Sequence, residues 1–294
     1  MKALKSDFIS CGVRCDGDLL LPEGVQKPSV VIMAHGLTAQ KDMGLMPYAE
    51  QFVKNNLAVF LFDYRTFGKS DGTPRQIVDP AKHLEDWANA IRHIKTLTEV
   101  NAEKIGLWGT SFSGGLVIAT ASSTSGISAV ISQVPFIGGK HSMKALSLSY
   151  SINAGLFGIW DLIKSGMGFG PYYIPAIARP GTFAAMNTEE SYNGFLSIVD
   201  EKNTTWENKM SARGLLKMTF FAPAKHADRI ECPVKIFAAT NDSFIPVSAI
   251  IEEAAKIKNK EVVVLDCNHF APYTGETFQK YIGQHVEFMT KNLL

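Results

Sequence analysis

The sequence predicts an α/β fold: a doubly wound, mostly parallel sheet with helices on both faces and one inserted, largely helical segment. Short β-branched and apolar runs alternate with stretches whose apolar residues recur at helical spacing. The alternation stops between positions 136 and 230 and then resumes. The chain has 294 residues, 46% of them hydrophobic, and a net charge of +1. This length and polarity suit one large domain with room for an insertion.

The composition argues against several classes of function. Lys and Arg number 29 against 28 Asp and Glu, so no basic excess is available to neutralise phosphates and nucleic acid is not an expected partner. Four cysteines are too few for a disulfide framework and lack the spacing of a zinc site. The first residues do not form a signal peptide, and polar residues interrupt the apolar stretch 145–170. We therefore expect a reducing, cytoplasmic location without stable membrane insertion.

The first elements follow from short apolar runs. Phe8-Ile9 and Leu19–Leu21 predict an antiparallel strand pair at the edge of the sheet. Val30–Ala34 and Ala58–Phe62 predict strands buried on both faces, because each run is apolar throughout. The stretch Ala49–Asn55 between them predicts a helix. Loops at the ends of such strands commonly carry function.

The next helix has an identifiable start. Asp79 is a good N-cap and Pro80 suits the first helical position. Apolar residues then recur at helical spacing as far as Leu97, so one face of this helix packs on the sheet. The remaining strands are predicted from apolar runs at Lys104–Trp108, Ala129–Ser132, Val234–Ala239 and Glu261–Leu265.

The break in the alternation divides the chain. We expect residues 1–135 and 231–294 to form the core and residues 136–230 to form an inserted lid (cap) subdomain. A structureless excursion of this length would be unusual in a compact domain, so the segment is expected to be helical and to lie over a site. It is rich in aromatic residues, each of which could pack within the segment or contact a ligand: Phe157, Trp160, Phe169, Tyr172, Tyr173, Phe183 and Phe195.

One glycine-rich stretch, Gly109–Gly115, lies between a predicted strand and a predicted helix. A serine on such a sharp turn holds its hydroxyl above the sheet, and small neighbours are needed because the backbone packs closely. Ser111 is therefore the candidate nucleophile. Ser113 stands where the usual motif has a second glycine. The stretch has no Lys and matches neither a phosphate-binding loop nor a dinucleotide fingerprint.

A serine nucleophile needs a base, and the base needs a carboxylate to orient it. His269 follows the last predicted strand, which suits the chain order serine, acid, histidine. Asp242 follows the preceding strand and is the candidate orienting acid. Asp266 is the alternative, but it lies too close to His269 in sequence to reach round the ring easily. Other histidines fall in helical patterns typical of surface or packing residues: His83, His93 and His285.

Negative charge on an attacked carbonyl oxygen needs hydrogen-bond donors already in place. The backbone N–H groups of Leu37 and Phe112 are the expected donors, because one lies in the loop after an early strand and the other follows the nucleophile. His35 is expected to brace that loop. Asp63 and Arg65 are expected to brace the next loop as a charged pair at a tight turn.

Taken together, these motifs resemble the α/β-hydrolase fold serine hydrolases over nearly the whole chain outside the inserted segment. The run from Ile131 to Phe136 is similar to the branch that holds dienelactone hydrolase-like esterases, X-Pro peptidase-like proteins and polyketide acyltransferase-like proteins. Asn268 departs from the family, which usually has Gly before the histidine. The landmarks occur in family order: His35-Gly36, Asp63-Tyr64-Arg65, Gly109–Gly115, Asn241-Asp242 and Asn268-His269-Phe270.

The resemblance implies specific roles. Ser111 would be the nucleophile, His269 the general base and then acid, and Asp242 the orienting carboxylate, with no metal or organic cofactor. The implied reaction is cleavage of a carboxylic ester or thioester through an acyl-serine intermediate, on a small, apolar acyl substrate. An acyltransferase, a serine peptidase and a non-catalytic ligand-binding member of the fold remain alternatives, and the oligomeric state is left open.

Overall fold

The computed structural model describes residues 1–141, 147–200 and 205–294. Within those residues, eight strands form one sheet in the order β1-β4-β6-β5-β7-β8-β11-β12. The six strands from β6 to β12 in that order pair in parallel, whereas β1 and β4 pair antiparallel. The strands of this sheet are β1 (Lys2–Lys5), β4 (Gly17–Leu21), β5 (Ser29–Ala34), β6 (Ala58–Phe62), β7 (Asn101–Thr110), β8 (Ile127–Gln133), β11 (Val234–Ala239) and β12 (Lys260–Leu265).

Helices cover both faces of the sheet, as the predicted doubly wound fold requires. One face packs on α1 and α8 and the other on α2 and α3, each through a continuous apolar core. Each large side chain buried there contributes about 1.5–3 kcal/mol. The helices are α1 (Met46–Lys54), α2 (Pro80–Ile94), α3 (Phe112–Ala121), α4 (Leu148–Gly166), α5 (Glu189–Ser197), α6 (Arg213–Phe220), α7 (Val247–Ala254) and α8 (Gly275–Leu293).

Most predicted elements are confirmed with small shifts of their ends. The strands predicted at Ala58–Phe62 and Val234–Ala239 occur with those bounds. Asp79 caps α2, since its carboxylate accepts a hydrogen bond of 3.2 Å from the N–H of Ala81. The helix ends at Ile94 rather than at the predicted last apolar position.

The predicted pairing of Phe8-Ile9 with Leu19–Leu21 is wrong. Phe8–Ser10 (β2) pairs instead with Val13–Cys15 (β3) in a separate hairpin, and β4 pairs with β1 at the edge of the main sheet. The physical reason is the connection between β2 and β3. Cys11 and Gly12 both have positive φ, 47° and 80°, and such a two-residue turn closes a hairpin at once.

The inserted segment contains α4, α5 and α6 with a short two-stranded ribbon of β9 (Tyr173–Ile174) and β10 (Met210–Ser211). Positions 142–146 and 201–204 of the predicted segment lie outside the described residues. Asp161 is fully buried on α4 and accepts from Arg213 Nε at 2.9 Å and from the N–H of Tyr172 at 2.7 Å. This carboxylate holds α4 against α6. None of the helices in the described residues is long and apolar enough to cross a membrane.

The register of the sheet sets the position of the site. Ala34 at the end of β5 pairs with Gly109 near the end of β7, and Thr110 pairs with Gln133 at the end of β8. The loop after β5 and the turn after β7 therefore leave the same edge of the sheet side by side. This is the carboxyl edge, where ligands bind in open parallel sheets.

Candidate active site

Ser111 lies on a strained turn between β7 and α3, with φ 55° and ψ −121°. A non-glycine residue rarely adopts a positive φ, and such strain is concentrated at functional sites. The neighbours must be small. A Cβ at Gly36 would lie 3.1 Å from the Cβ of Ser111, and a Cβ at Gly109 would overlap the carbonyl oxygen of Ser113. The turn therefore presents the Ser111 hydroxyl beside the loop that follows β5.

Both departures from the family pattern are accommodated by hydrogen bonds. Ser113 is fully buried, and its hydroxyl lies 2.8 Å from the Tyr64 hydroxyl. Asn268 uses its side-chain oxygen to accept from the N–H groups of Phe270 at 3.1 Å and Ala271 at 2.9 Å. The first substitution leaves no buried hydroxyl unsatisfied, and the second forms a turn of its own after β12.

Ser111, His269 and Asp242 meet in one hydrogen-bonded row. His269 Nε2 lies 2.9 Å from Ser111 Oγ, and His269 Nδ1 lies 2.6 Å from Asp242 Oδ2. The Asp242 side chain is fully buried, and its other oxygen accepts from the N–H groups of Phe244 at 2.7 Å and Ile245 at 3.1 Å. The carboxylate is thus fixed by its own loop, and one of its oxygens faces the ring. The row can pass a proton from the serine hydroxyl to the imidazole.

The alternative candidates lie elsewhere. Asp266 is exposed, and its Oδ1 lies 3.5 Å from Asn241 Nδ2. His285 is buried and stacks on Phe237, with ring centroids 3.8 Å apart. His83 is also buried, and burial lowers its pKa to about 4. These two histidines are packing residues on the two faces of the sheet.

Leu37 and Phe112 both line the cavity beside Ser111 and His269. Phe112 is the first residue of α3, so its N–H has no acceptor within the helix and points out of the helix N-terminus. Leu37 follows Gly36, which contacts the Ser111 turn. Both residues thus lie at the cavity beside Ser111, and their roles as oxyanion donors stay a prediction.

The loop after β6 is braced by the two expected residues, Asp63 and Arg65. Asp63 accepts from the N–H of Lys41 at 2.7 Å, while Arg65 forms an ion pair with Asp86 at 2.6 Å. Asp63 and Arg65 therefore brace this region as expected, each through a different partner. Asp63 faces inward beneath the loop and Arg65 faces α2. Burial raises the pKa of Asp63 to about 6 and lowers that of His35 to about 3.

Glu190 is a part of the site that the sequence analysis missed. One of its oxygens accepts from the N–H of His269 at 2.7 Å, and the other accepts from the N–H of Ser243 at 3.2 Å. A single carboxylate of α5 thus holds the histidine loop and the aspartate loop together. On the same helix, a Cβ at Gly194 would overlap the ring of Phe270, so this close packing requires glycine. The signal in the sequence, Thr188 followed by two glutamates, is typical of any helix start.

The electrostatics of the row favour protonation of His269. Burial opposes the charged ring, but the carboxylates of Asp242 and Glu190 outweigh it, and the pKa of His269 lies above its ordinary value. A serine hydroxyl gives its proton only to a neutral imidazole. Lowering the pH through this raised pKa therefore removes the active form.

We expect kcat/KM to fall with acidification at a midpoint above about 6.5, the usual pKa of histidine. The variant Glu190→Gln removes one of the two negative charges near the ring, so its midpoint should move to lower pH. The measurement is kcat/KM against pH for both proteins on a substrate without titratable groups. Equal midpoints would show that the Glu190 charge does not act on His269, and a wild-type midpoint well below 6.5 would contradict His269 as base.

A cavity of about 590 Å³ opens beside Ser111 and His269. Among the described residues, its wall contains no Asp, Glu, Lys or Arg side chain. Hydroxyl and amide groups lie between apolar groups, which include Leu37, Phe112, Phe136, Phe183, Phe244 and Ile245. Nowhere in residues 1–141, 147–200 and 205–294 is a group of three His, Cys, Asp or Glu side chains placed to hold a metal ion.

The geometry of the Ser111 turn and of the row from Asp242 to Ser111 agrees with the family match. Residues 26–269 match the model of the family described as serine aminopeptidase, S33. The chain belongs to this family. It is thus an α/β hydrolase, and the resemblance based on the sequence motifs is confirmed. Membership of this family supports a hydrolase activity for the chain.

Three similar proteins extend the match. The S33-family chain is 33% identical over 288 residues to the quorum-quenching protein AidA of Acinetobacter baumannii, covering 98% of this chain and 94% of that one. It is 39% identical over 126 residues to the thiohydrolase aneE of Aspergillus aculeatus, covering 43% and 39% of the two chains. The crystal structure of the α/β hydrolase GrgF of Penicillium sp. sh18 superposes with a TM-score of 0.86 at 20% identity, covering 100% and 99%. The last likeness shows the fold alone.

Proposed function

We propose that this protein is a serine hydrolase that cleaves a carboxylic ester or thioester through an acyl-enzyme intermediate on Ser111. The observation that carries the proposal is the row from Asp242 through His269 to Ser111, which ends at a cavity with apolar walls. A hydroxyl, an imidazole and a carboxylate in this arrangement form the recurring apparatus of acyl transfer.

The first half of the reaction acylates the serine. Ser111 Oγ attacks the carbonyl carbon of the substrate while His269 Nε2 takes the hydroxyl proton. The N–H groups of Leu37 and Phe112 donate hydrogen bonds to the carbonyl oxygen as it becomes negatively charged. Each such donor stabilises the transition state by about 2.7–4 kcal/mol. The tetrahedral species then collapses, and the leaving alcohol or thiol departs with the proton from His269. Ser111 now carries the acyl group as an ester.

The second half frees the serine. A water molecule gives a proton to His269 Nε2 and attacks the acyl carbonyl carbon, and the same two N–H groups hold the new oxyanion. Collapse breaks the bond to Ser111 Oγ, which recovers its proton from His269. Asp242 accepts a hydrogen bond from His269 Nδ1–H in both halves of the reaction and stabilises the imidazolium with its negative charge. The products are a carboxylic acid and the regenerated enzyme.

The walls of the cavity favour an uncharged acyl substrate. An aminopeptidase must hold the ammonium group of its substrate, for which a carboxylate in the site is the natural partner. Among the described residues, neither Asp nor Glu contributes a side chain to the cavity wall. Glu190 lies close by, but both of its oxygens accept backbone N–H groups. The thiohydrolase aneE among the relatives supports a thioester as well as an oxygen ester.

The inserted segment is part of this proposal. We assign residues 136–230 as a lid subdomain on a core of residues 1–135 and 231–294. Its side chains, including Tyr150, Phe183 and Leu216, form much of the cavity wall, while Leu37 and Ile245 come from the core. An acyl chain bound next to Ser111 would thus lie between the two parts. The identity of the lid side chains then selects the acyl group.

A panel of substrates tests the proposal. We expect turnover of p-nitrophenyl esters and acyl thioesters in water, with uncharged acyl chains preferred over charged ones of equal length. Turnover that appears only after addition of an alcohol or amine acceptor would indicate an acyltransferase. Turnover restricted to aminoacyl p-nitroanilides would indicate a peptidase. Tight binding of acyl compounds without turnover would indicate a ligand-binding protein, and each of these results would overturn the hydrolase assignment.

A further inference from the structure

The outer face of α4 is apolar and exposed along the length of the helix. At 100° per residue, five of its seven exposed large apolar residues fall within an arc of about 80°, and the other two, Trp160 and Leu162, lie about 40° beyond either edge of that arc. Exposed apolar patches of this extent on a soluble protein usually mark an interaction site. We call these residues the outer stripe: Leu148 (78% exposed), Ile152 (54%), Leu156 (62%), Ile159 (53%) and Ile163 (49%).

The inner face of α4 fixes this orientation. Gly158 is buried, and a Cβ there would lie 2.5 Å from the side chain of Leu216 on α6. Asp161, also buried, forms its ion pair with Arg213 of α6. Rotation of the helix about its axis would separate these contacts and would bury or expose the wrong groups. The outer stripe is therefore held toward solvent by the packing of the opposite face.

The spacing of the outer stripe is that of a helix-packing seam. Successive members are separated by four, four, three and four positions. A repeat of threes and fours places apolar knobs along one line of a helix, where a second helix packs against them. The stripe thus offers a second helix a continuous row of apolar side chains.

The charges around the stripe distinguish between possible occupants. Helices that lie on anionic membranes carry rows of Lys and Arg beside the apolar face. On α4 the basic residue is Lys164, whose ammonium lies 3.4 Å from the carbonyl oxygen of Pro171, and the acidic residue is the buried Asp161. Within the described residues of α4, the exposed apolar face contains neither Lys and Arg nor Asp and Glu. A neutral apolar face can pack on an identical copy of itself, as a two-fold interface requires.

We infer that α4 is a homodimer contact, in which two copies of the chain pack their outer stripes together antiparallel about a two-fold axis. The area suits this arrangement. Four further apolar side chains nearby are also exposed: Trp160, Leu162, Met167 and Phe169. If a fully exposed large side chain has about 200 Å² of surface, these four and the outer stripe together expose on the order of 1,000 Å². A stable interface buries about 800 Å² on each partner.

The oligomeric state of the full chain tests the inference. Analytical ultracentrifugation of the wild type at micromolar concentrations should show twice the chain mass of 32.2 kDa. The double variant L156Q/I163Q should dimerise at least about tenfold more weakly, since truncating central apolar contacts costs the most. Ile251→Gln is the matched control, because Ile251 is a helical isoleucine of α7 that is 48% exposed, and it should dimerise as the wild type does. A monomeric wild type, or a dimer that the double variant retains, would overturn the inference.

Cross-linking provides a second measurement that does not depend on destabilising the helix. Leu156 is near the middle of the stripe, so Leu156→Cys in a Cys11→Ser background should form an intermolecular disulfide on mild oxidation, because the two copies place this position near the axis. Ile251→Cys in the same background should not. Equal cross-linking of both variants would contradict the proposed face. Flotation of a monomeric wild type with neutral or anionic phospholipid vesicles, lost in L156Q/I163Q, would assign the face to a membrane surface instead.

Discussion

Ser111→Ala should lower kcat/KM for an acyl ester by roughly 10⁴-fold or more, because the serine, histidine and aspartate act as a unit and the nucleophilic oxygen is the atom that becomes acylated. The same variant should lose covalent labelling by a fluorophosphonate probe. Labelling is followed by intact-protein mass spectrometry, and turnover by release of p-nitrophenol.

The matched control is Ser113→Ala, two positions further along the same turn. Ser113 is fully buried, and its hydroxyl contacts Tyr64 and not His269. Loss of this hydrogen bond should cost about 1 kcal/mol of stability and leave the Ser111 labelling in place. Persistent labelling of folded Ser111→Ala would assign the nucleophile to another residue and contradict the proposed mechanism.

Asp242→Asn should lower kcat by about 10³–10⁴-fold while leaving the fold intact. The asparagine side-chain oxygen can still accept from the N–H groups of Phe244 and Ile245, so its amide nitrogen is turned toward His269 Nδ1. His269 Nδ1 then accepts a hydrogen bond from this amide, and the ring proton moves to Nε2. A protonated Nε2 cannot take the proton of Ser111. Loss of the carboxylate charge should also lower the pKa of His269, so the residual activity should persist to lower pH.

Asp266→Asn makes the same chemical change at the alternative carboxylate. Asp266 is exposed and lies outside the row, so its effect on kcat should stay within about twofold, as for most exposed substitutions. Rates for the two variants are compared at a pH where the wild type is fully active. A large loss in Asp266→Asn with a small one in Asp242→Asn would exchange the roles of the two carboxylates.

The sheet could be predicted from the sequence where burial is uniform. Val30–Ala34 and Ala58–Phe62 are buried on both faces, so they appear in the sequence as unbroken apolar runs. Lys2–Lys5 could not be recognised, because this edge strand is largely exposed and its two lysines give no apolar period. The β2–β3 hairpin was missed because Cys11 adopts a positive φ that a cysteine does not signal.

The residues of the site also divide into those that the sequence predicts and those that it does not. Ser111, Asp242 and His269 could be selected because each follows a predicted strand, and the ends of parallel strands converge at one edge of a sheet. Glu190 could not be selected, since it lies 79 residues from His269 in a segment whose placement on the sheet no local pattern encodes. The residue types around Glu190 also give no indication of its role. Its hydrogen-bond donors are backbone N–H groups, which every residue except proline has.

The contact of α5 with the histidine loop limits how substrate reaches Ser111. Glu190 holds the amide of His269, and Gly194 lets Phe270 lie directly against the helix. Lifting α5 from the sheet would therefore carry the imidazole away from the serine and switch the catalytic row off. We therefore expect α5 to keep its place against the histidine loop while substrate and product exchange at Ser111.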